Sequence, residues 1–151
     1  MKLVLAPDGP LDTVATLARY RLWGEDPANP LEGDVFRRVL RLDGRLVPYE
    51  VRWGGAVDDA RLIVTVPGRS RAAVGEAVAA EVGHLFGLDF DLPGFYRVAK
   101  GDPALARLIG PLHGLRPTLA PTGFEMLVGS ITAQQVNLAF AFACQIGRAH
   151  V

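Results

Sequence analysis

An Asp-Gly pair between two strand-like runs is the feature that most restricts the fold of this chain. Asp43-Gly44 joins residues 35–42, "VFRRVLRL", to residues 45–53, "RLVPYEVRW". Asp-Gly is a preferred two-residue hairpin turn, because both central positions adopt positive φ. Residues 60–68, "ARLIVTVPG", are rich in β-branched side chains and predict a third strand. The central part of the chain is therefore predicted to be an antiparallel meander.

Helical periodicity flanks this meander on both sides. Apolar residues at helical spacing predict a helix over residues 11–22, after a short strand at residues 2–6. A second helix is predicted over residues 70–87, with Ser70 as its N-cap. Residues 1–90 thus have the order β-α-β-β-β-α. The fold class expected for them is α+β, an antiparallel sheet with two helices that cover one face.

The pattern changes after residue 90. Residues 91–122 form a connector of short helical pieces interrupted by Pro and Gly. Within it, Leu92-Pro93-Gly94 predicts a turn, and residues 102–110 predict a short helix with Asp102 as its cap. A new helical unit is predicted over residues 123–145.

Local signals mark the start of that unit and a joint inside it. Thr122 and Glu125 have the T-x-x-E spacing of a capping box. Asn137 can cap a second helix, so Gln134 and Gln135 fall in a tight joint between two helices. The two amides either satisfy unpaired backbone groups at the helix ends or contact a partner. Spacing alone favours the first interpretation.

The charge balance gives no support for nucleic-acid binding by the chain as a whole. Sixteen Lys+Arg residues balance sixteen Asp+Glu residues, whereas phosphate binding needs an excess of cations, although a local site stays open. Five arginines on the predicted hairpin favour a solvated sheet face over a phosphate track. They are Arg37, Arg38, Arg41, Arg45 and Arg52.

Other function classes find little support in the composition. The single cysteine, Cys144, excludes an internal disulfide and fits a reducing cytoplasm. No signal peptide is recognisable, and no apolar run is long enough to span a bilayer, so no membrane contact is expected. The three histidines and one cysteine have no metal-ligand spacing, so no metal is expected. His84, beside two apolar residues, is interpreted as a partly buried packing residue.

The stretch around the two glutamines resembles a known family. "GLRPTLAPTGFEMLVGSITAQQVNLAFAFA", residues 114–143, is similar to the opening of the catalytic domain of the helix-hairpin-helix DNA glycosylases. It is most like the alkylation-repair type, DNA-3-methyladenine glycosylase II. The resemblance implies that residues 123–145 are the first helices of an all-α glycosylase domain. The residues that match the family's order are Gly114, Leu115, Arg116, Pro117, Phe124, Glu125, Ile131, Ala133, Gln134, Gln135, Val136, Asn137 and Ala139. That family also carries an N-terminal α+β domain that resembles half of a TATA-binding protein, in agreement with the order of elements above.

The resemblance implies a role for both amides. The family flips a damaged base out of the duplex and fills the gap from the minor groove, with a side chain at a helix–helix joint. Gln135 falls at that wedge position, which is leucine in some relatives, and Gln134 at the neighbouring position that touches bases. An amide suits the minor groove because it can donate and accept hydrogen bonds. Tyr20 falls near the position from which the N-terminal domain contributes an aromatic side chain to the base pocket.

The resemblance also implies features expected beyond this chain. The family needs a helix-hairpin-helix motif that holds a phosphate and a downstream aspartate that stabilises the cationic sugar. Neither follows Gln135, so no catalytic residue is assigned here. Residues 146–151, "IGRAHV", are also what a common sequencing adapter encodes in one frame. We therefore expect this tail to be adapter-derived and the chain to be a truncated, inactive fragment.

The function implied by the resemblance is base-excision repair of double-stranded DNA that contains alkylated bases. The parent enzyme would hydrolyse the N-glycosidic bond of alkylated purines such as 3-methyladenine, as a monomer in the bacterial cytoplasm and without metal or organic cofactor. Two alternatives stay open. One is another glycosylase of the superfamily, such as an 8-oxoguanine type. The other is a non-enzymatic α+β binding module that uses its sheet face.

Overall fold

The computed structural model describes residues 1–22, 26, 28–68 and 70–135, with backbone but no side-chain description at Gln135. Five strands and six α-helices lie in these ranges. The strands are β1 (Lys2–Leu5), β2 (Leu31–Glu32), β3 (Val35–Leu42), β4 (Arg45–Gly54) and β5 (Arg61–Thr65). The helices are α1 (Thr13–Leu17), α2 (Arg19–Leu22), α3 (Ala72–Leu85), α4 (Leu92–Ala99), α5 (Pro103–Ile109) and α6 (Gly123–Gln135). A 3-10 turn, Val57–Asp59, precedes β5.

The strands form one antiparallel sheet in the order β1-β5-β4-β3-β2. The β3–β4 hairpin closes at Asp43 and Gly44, whose φ angles are 49° and 73°, as a two-residue turn of this kind requires. The predicted meander is thus confirmed. The sequence did not predict β2, because two residues inside a Pro- and Gly-rich segment carry no period-2 signal.

The core lies between one face of the sheet and the helices α1, α2 and α3. Phe36, Val51 and Val64 of the sheet are fully buried, as are Val78 and Val82 of α3. The Phe36 ring meets the Phe86 ring edge-on, with 5.5 Å between centroids, a favourable aromatic geometry. The predicted α+β class, with helices on one face of an antiparallel sheet, is confirmed.

Two predicted helix boundaries need correction. The helix expected over residues 11–22 is divided into α1 and α2 at Ala18, while Asp12 caps α1 by accepting a hydrogen bond of 2.9 Å from the Ala15 amide. Ser70 does not cap α3, which begins at Ala72 after Arg71 without a side-chain cap. The helix therefore starts one residue later than Ser70, as an N-cap, would predict.

The turn expected at Leu92-Pro93-Gly94 is wrong, because these residues form the first turn of α4. Asp91 caps this helix by accepting a hydrogen bond of 2.7 Å from the Gly94 amide. Proline is compatible with the first helical turn, where the missing N–H would have no helical partner. The short helix capped by Asp102 is confirmed as α5.

Residues 115–120 have no regular secondary structure and lead to α6. The proposed division into units at residues 90 and 122 stays a prediction. Val136, Asn137, Cys144 and the tail at 146–151 lie outside the described residues. No helix in the described part of the chain is both long and apolar enough to cross a membrane.

Candidate nucleic-acid interface

Helix α6 carries the two glutamines in the last turn that the structure describes. Gln134 is exposed, and Gln135 is the last residue of the helix that the structure describes. Ser130, one turn earlier, is also exposed. The structure thus places the predicted contact residue Gln134 on the surface, next to the backbone of the predicted wedge residue. Their contact with DNA stays a prediction.

The start of α6 follows the predicted capping box only in part. The Glu125 amide donates a hydrogen bond of 3.1 Å to the Thr122 hydroxyl, which is the threonine half of the motif. Both oxygens of the Glu125 carboxylate accept hydrogen bonds from Nη2 of Arg38, at 2.8 and 2.9 Å. The carboxylate therefore links the first turn of α6 to strand β3.

Arg38 is the centre of a buried polar cluster. Arg38 is 8% exposed, and its Nε donates a hydrogen bond to Oε1 of Glu81 on α3 at 3.2 Å. Its Nη1 donates to the side-chain oxygen of Asn29, whose own amide donates to Asp26 at 2.9 Å. Arg38 thus joins the sheet, α3, the segment before β2 and α6. This arrangement fits a guanidinium, which presents several donors in one rigid plane.

The electrostatics of the cluster keep Arg38 charged. Burial acts to lower the pKa of Arg38, but the hydrogen bonds and charge of Glu125, with the charge of Glu81, outweigh it and raise the pKa above its ordinary value. Tyr49 donates a hydrogen bond of 2.7 Å to Oε1 of Glu81. Burial, and then the charge of Glu81, strongly raise the pKa of the Tyr49 phenol. The phenol therefore stays neutral and donates to the carboxylate.

The solvated position predicted for Arg38 is therefore wrong. Side chains alternate across a strand, so Arg38 shares the core face with Phe36. That alternation is a signal by which sequence reasoning could have found it. Arg37 follows the prediction: it is exposed and contacts Glu32 at 2.7 Å and Glu50 at 3.8 Å. Such pairing favours a solvated sheet face over a phosphate track.

The connector before α6 is fixed to the α+β domain by Arg116, which is 1% exposed. Its guanidinium donates to the carbonyl oxygens of Pro10 at 2.9 Å and of Gly87 and Phe90 at 3.0 Å each. It also donates to the carbonyl oxygen of Asp8. Burial lowers the pKa of Arg116, and the charges of Asp8 and Tyr96 partly oppose this effect. Backbone carbonyls thus replace water around this cation.

Further hydrogen bonds secure the same segment. The Arg116 amide donates to the Thr16 hydroxyl at 3.1 Å, and Arg19 of α2 donates to the Thr118 hydroxyl at 3.2 Å. His84 of α3 lies 3.0 Å from the carbonyl oxygen of Ala120, in agreement with its predicted packing role. The connector reaches α6 along a path that the α+β domain determines.

Tyr20 lies in the core of the α+β domain. It is 7% exposed, and its ring centroid lies 5.5 Å from that of Phe36. The Arg19 guanidinium lies 5.5 Å from the Tyr20 ring centroid, and burial raises the pKa of the Tyr20 phenol. Its part in a base pocket stays a prediction.

Helix α6 also presents large apolar side chains to solvent. Phe124 is 68% exposed, and Met126, Leu127 and Ile131 are between 53% and 60% exposed. In the part of the chain that is described, no group of three or more His, Cys, Asp or Glu side chains could hold a metal ion.

Comparison with known proteins supports the resemblance. The DNA-3-methyladenine glycosylase of Bacillus subtilis (strain 168) is 40% identical to this chain over 68 residues, which is 45% of the chain and 22% of that protein. The solved structure of 3-methyladenine DNA glycosylase from Archaeoglobus fulgidus matches with a TM-score of 0.75 and 22% identity. That match covers 93% of this chain and 47% of the solved chain. No protein-family model matches the chain.

The two matches cover under a quarter of the curated relative and about half of the solved chain. The structural likeness extends over both the α+β domain and the helices that follow. The α+β fold with subsequent helices, and the resemblance to the 3-methyladenine DNA glycosylases, are thereby confirmed.

Proposed function

We propose that this chain is the N-terminal part of a base-excision repair enzyme, a DNA-3-methyladenine glycosylase II. The parent enzyme hydrolyses the N-glycosidic bond of alkylated purines in double-stranded DNA. The observation that carries the proposal is the 40% identity over 68 residues to a DNA-3-methyladenine glycosylase. The fold match over 93% of the chain, to a structure of the same name, supports it.

The geometry of α6 is compatible with this activity. A base inside a duplex is unreachable, so the enzyme must extrude it and support the gap from the minor groove. Gln134 is exposed in the last described turn of a helix whose first turn is bonded to the sheet by Glu125 and Arg38. In this proposal Gln135 enters the gap, and Gln134 contacts the neighbouring bases through its amide.

The chemistry itself requires groups outside this chain. A catalytic aspartate stabilises the cationic sugar, and the amides of a hairpin motif hold a phosphate. Alkylated purines are cationic, so an aromatic pocket selects them through stacking and cation–π attraction, and Tyr20 is a candidate contributor. The enzyme acts as a cytoplasmic monomer and uses no metal or organic cofactor.

The proposed function is tested first by sequencing the gene. The locus is sequenced past codon 144 from an unfragmented amplicon, and the complete frame is expressed beside the 151-residue chain. We expect the complete product to release 3-methyladenine from alkylated DNA, and the 151-residue chain to release none. The same product is assayed on a duplex with one 8-oxoguanine, where we expect no excision.

Three other results would change the conclusion. Excision of 8-oxoguanine alone assigns the chain to that type of glycosylase. A genome that encodes "IGRAHV" followed by a stop codon removes the hydrolase and leaves a binding role for the α+β domain. A complete product that is folded but releases no base from either duplex rejects the proposed activity.

A further inference from the structure

We propose that Glu125, held by Arg38, is a positioning residue that sets the direction of α6 and so the point at which Gln134 and Gln135 meet DNA. The proposal that Glu125 sets the direction of α6 is argued from the contact between α6 and the sheet. The significance for DNA rests on the proposed function.

The contact has the form of a clamp. Two charge-assisted hydrogen bonds, at 2.8 and 2.9 Å, join Nη2 of Arg38 to both oxygens of Glu125. Because a single nitrogen faces both oxygens, these contacts form a bifurcated, charge-assisted hydrogen bond, and charge-assisted bonds are roughly twice as strong as neutral ones. Arg38 itself cannot reorient freely, because Glu81 and Asn29 hold its other nitrogens. Glu125 is therefore bonded to a fixed point on strand β3.

Apolar packing of the first turn is a weak alternative explanation for the direction of α6. Phe124, immediately before Glu125, is 68% exposed, and Met126 and Leu127, immediately after it, are 60% and 56% exposed. Side chains that remain in water contribute little burial energy. By contrast, the Glu125 side chain is 31% exposed and the Arg38 side chain 7% exposed. The ion pair is thus the more buried attachment in this turn.

Because α6 is long, a small rotation at Glu125 produces a larger displacement at Gln134 and Gln135. Gln134 lies nine residues after Glu125, which is about 14 Å along a helix that rises 1.5 Å per residue. A rotation of about 10° at the clamp would therefore displace the glutamines by about 2 Å. Displacements of about 1 Å are enough to disturb a reacting geometry.

Glu125→Gln separates this role from general stability. The substitution is isosteric and removes the charge, while Arg38 keeps Glu81 and Asn29 as partners. The α+β domain should therefore stay folded. Glu76→Gln is the matched control, because Glu76 is an exposed glutamate on α3 and loses the same charge.

The experiment measures the position of α6 by double electron–electron resonance. Spin labels are attached at Ala80→Cys on α3 and Ser130→Cys on α6, both exposed positions, in a Cys144→Ser background of the 151-residue chain. We expect one narrow distance peak without further substitution and with Glu76→Gln. With Glu125→Gln we expect that narrow peak to be lost, while circular dichroism shows that the α+β domain remains folded at the temperature of the measurement.

A narrow and unshifted peak in Glu125→Gln would overturn the proposal, and so would a broad distribution before Glu125 is changed. If Glu125→Gln unfolds the chain, the same measurement on Glu125→Asp tests the proposal. The shorter aspartate side chain keeps the charge but cannot place both carboxylate oxygens against Nη2 of Arg38. A shifted or broadened peak then supports the clamp, and an unchanged peak rejects it. None of these results depends on DNA, so failure of this proposal can be distinguished from failure of the proposed glycosylase function.

Discussion

The guanidinium of Arg116 donates a hydrogen bond of 3.0 Å to the carbonyl oxygen of Gly87, where the chain leaves α3. Gly87 has φ of +62°, and a Cβ at this position would lie 2.3 Å from the carbonyl oxygen of Pro117. The connector thus passes directly against the end of α3. The arginine and the glycine together permit this close passage.

Replacing Arg116 by methionine should strongly destabilise the chain. The substitution leaves the carbonyl oxygens of Pro10, Gly87 and Phe90 without their donor in a buried site. We expect the free energy of unfolding to fall by about 3 kcal/mol, since each hydrogen bond to a charged group contributes about 1.5–3 kcal/mol and the losses overlap. Denaturant titration measures the change. Arg107→Met, at an exposed position of α5, should have a small effect, and equal losses in both variants would contradict the anchoring role.

Replacing Gly87 by alanine should cost more than the same change at Gly44. Both glycines have positive φ, of +62° and +73°, but a Cβ at Gly44 would meet no atom within 4 Å. Backbone strain alone costs about 1 kcal/mol, whereas the contact with Pro117 should raise the loss at Gly87 to about 3 kcal/mol. Thermal unfolding of the two variants tests the difference. Similar melting temperatures would show that the connector moves away from the added Cβ without loss of stability.

Stability should fall at alkaline pH because two phenols are buried. Burial raises the pKa of both Tyr49 and Tyr20 above the ordinary value of 10.0. Above that pH the unfolded chain loses phenolic protons that the folded chain keeps, so the unfolded state becomes favoured. Stability from these groups is complete below about pH 10 and declines as the pH rises beyond it. Denaturant titrations at a series of pH values measure the slope.

The double variant Tyr20→Phe/Tyr49→Phe provides the control for the alkaline prediction. It should show a flatter decline, because neither position can ionise. It should also be less stable at neutral pH by about 1 kcal/mol, since the bond from Tyr49 to Glu81 is lost. A decline as steep as that of the unchanged chain would assign alkaline unfolding to other groups.

Replacing Gln135 by alanine should weaken base excision by the complete enzyme. If Gln135 supports the gap left by the flipped base, its loss should lower kcat/KM for alkylated DNA about 10-fold or more, equivalent to about 1.4 kcal/mol. Gln134→Ala should have a smaller effect in the same direction. Ser130→Ala, at an exposed position one turn earlier, should leave kcat/KM unchanged. Equal rates for Gln135→Ala and Ser130→Ala would reject the wedge assignment.

Local patterns in the sequence determined much of this fold. The strands β3 and β4 and their turn at Asp43-Gly44 follow from period-2 alternation and turn chemistry, which depend only on neighbouring residues. The cap at Asp102 follows equally from local rules. The glutamines were singled out by the motif around them. Local periodicity and motif spacing need no knowledge of distant parts of the chain.

The tertiary structure alone decided which arginines are buried and what they bind. Arg38 and Glu125 are 87 positions apart, and Arg116 and Asp8 are 108 apart. An arginine in a strand or a connector is usually solvated, because burial of a charge requires partners that only folding brings together. Alternation could indicate that Arg38 faces the core, but no sequence pattern identified Glu125 as its partner. Pairing across such distances depends on how the elements pack, and packing is a property of the whole fold.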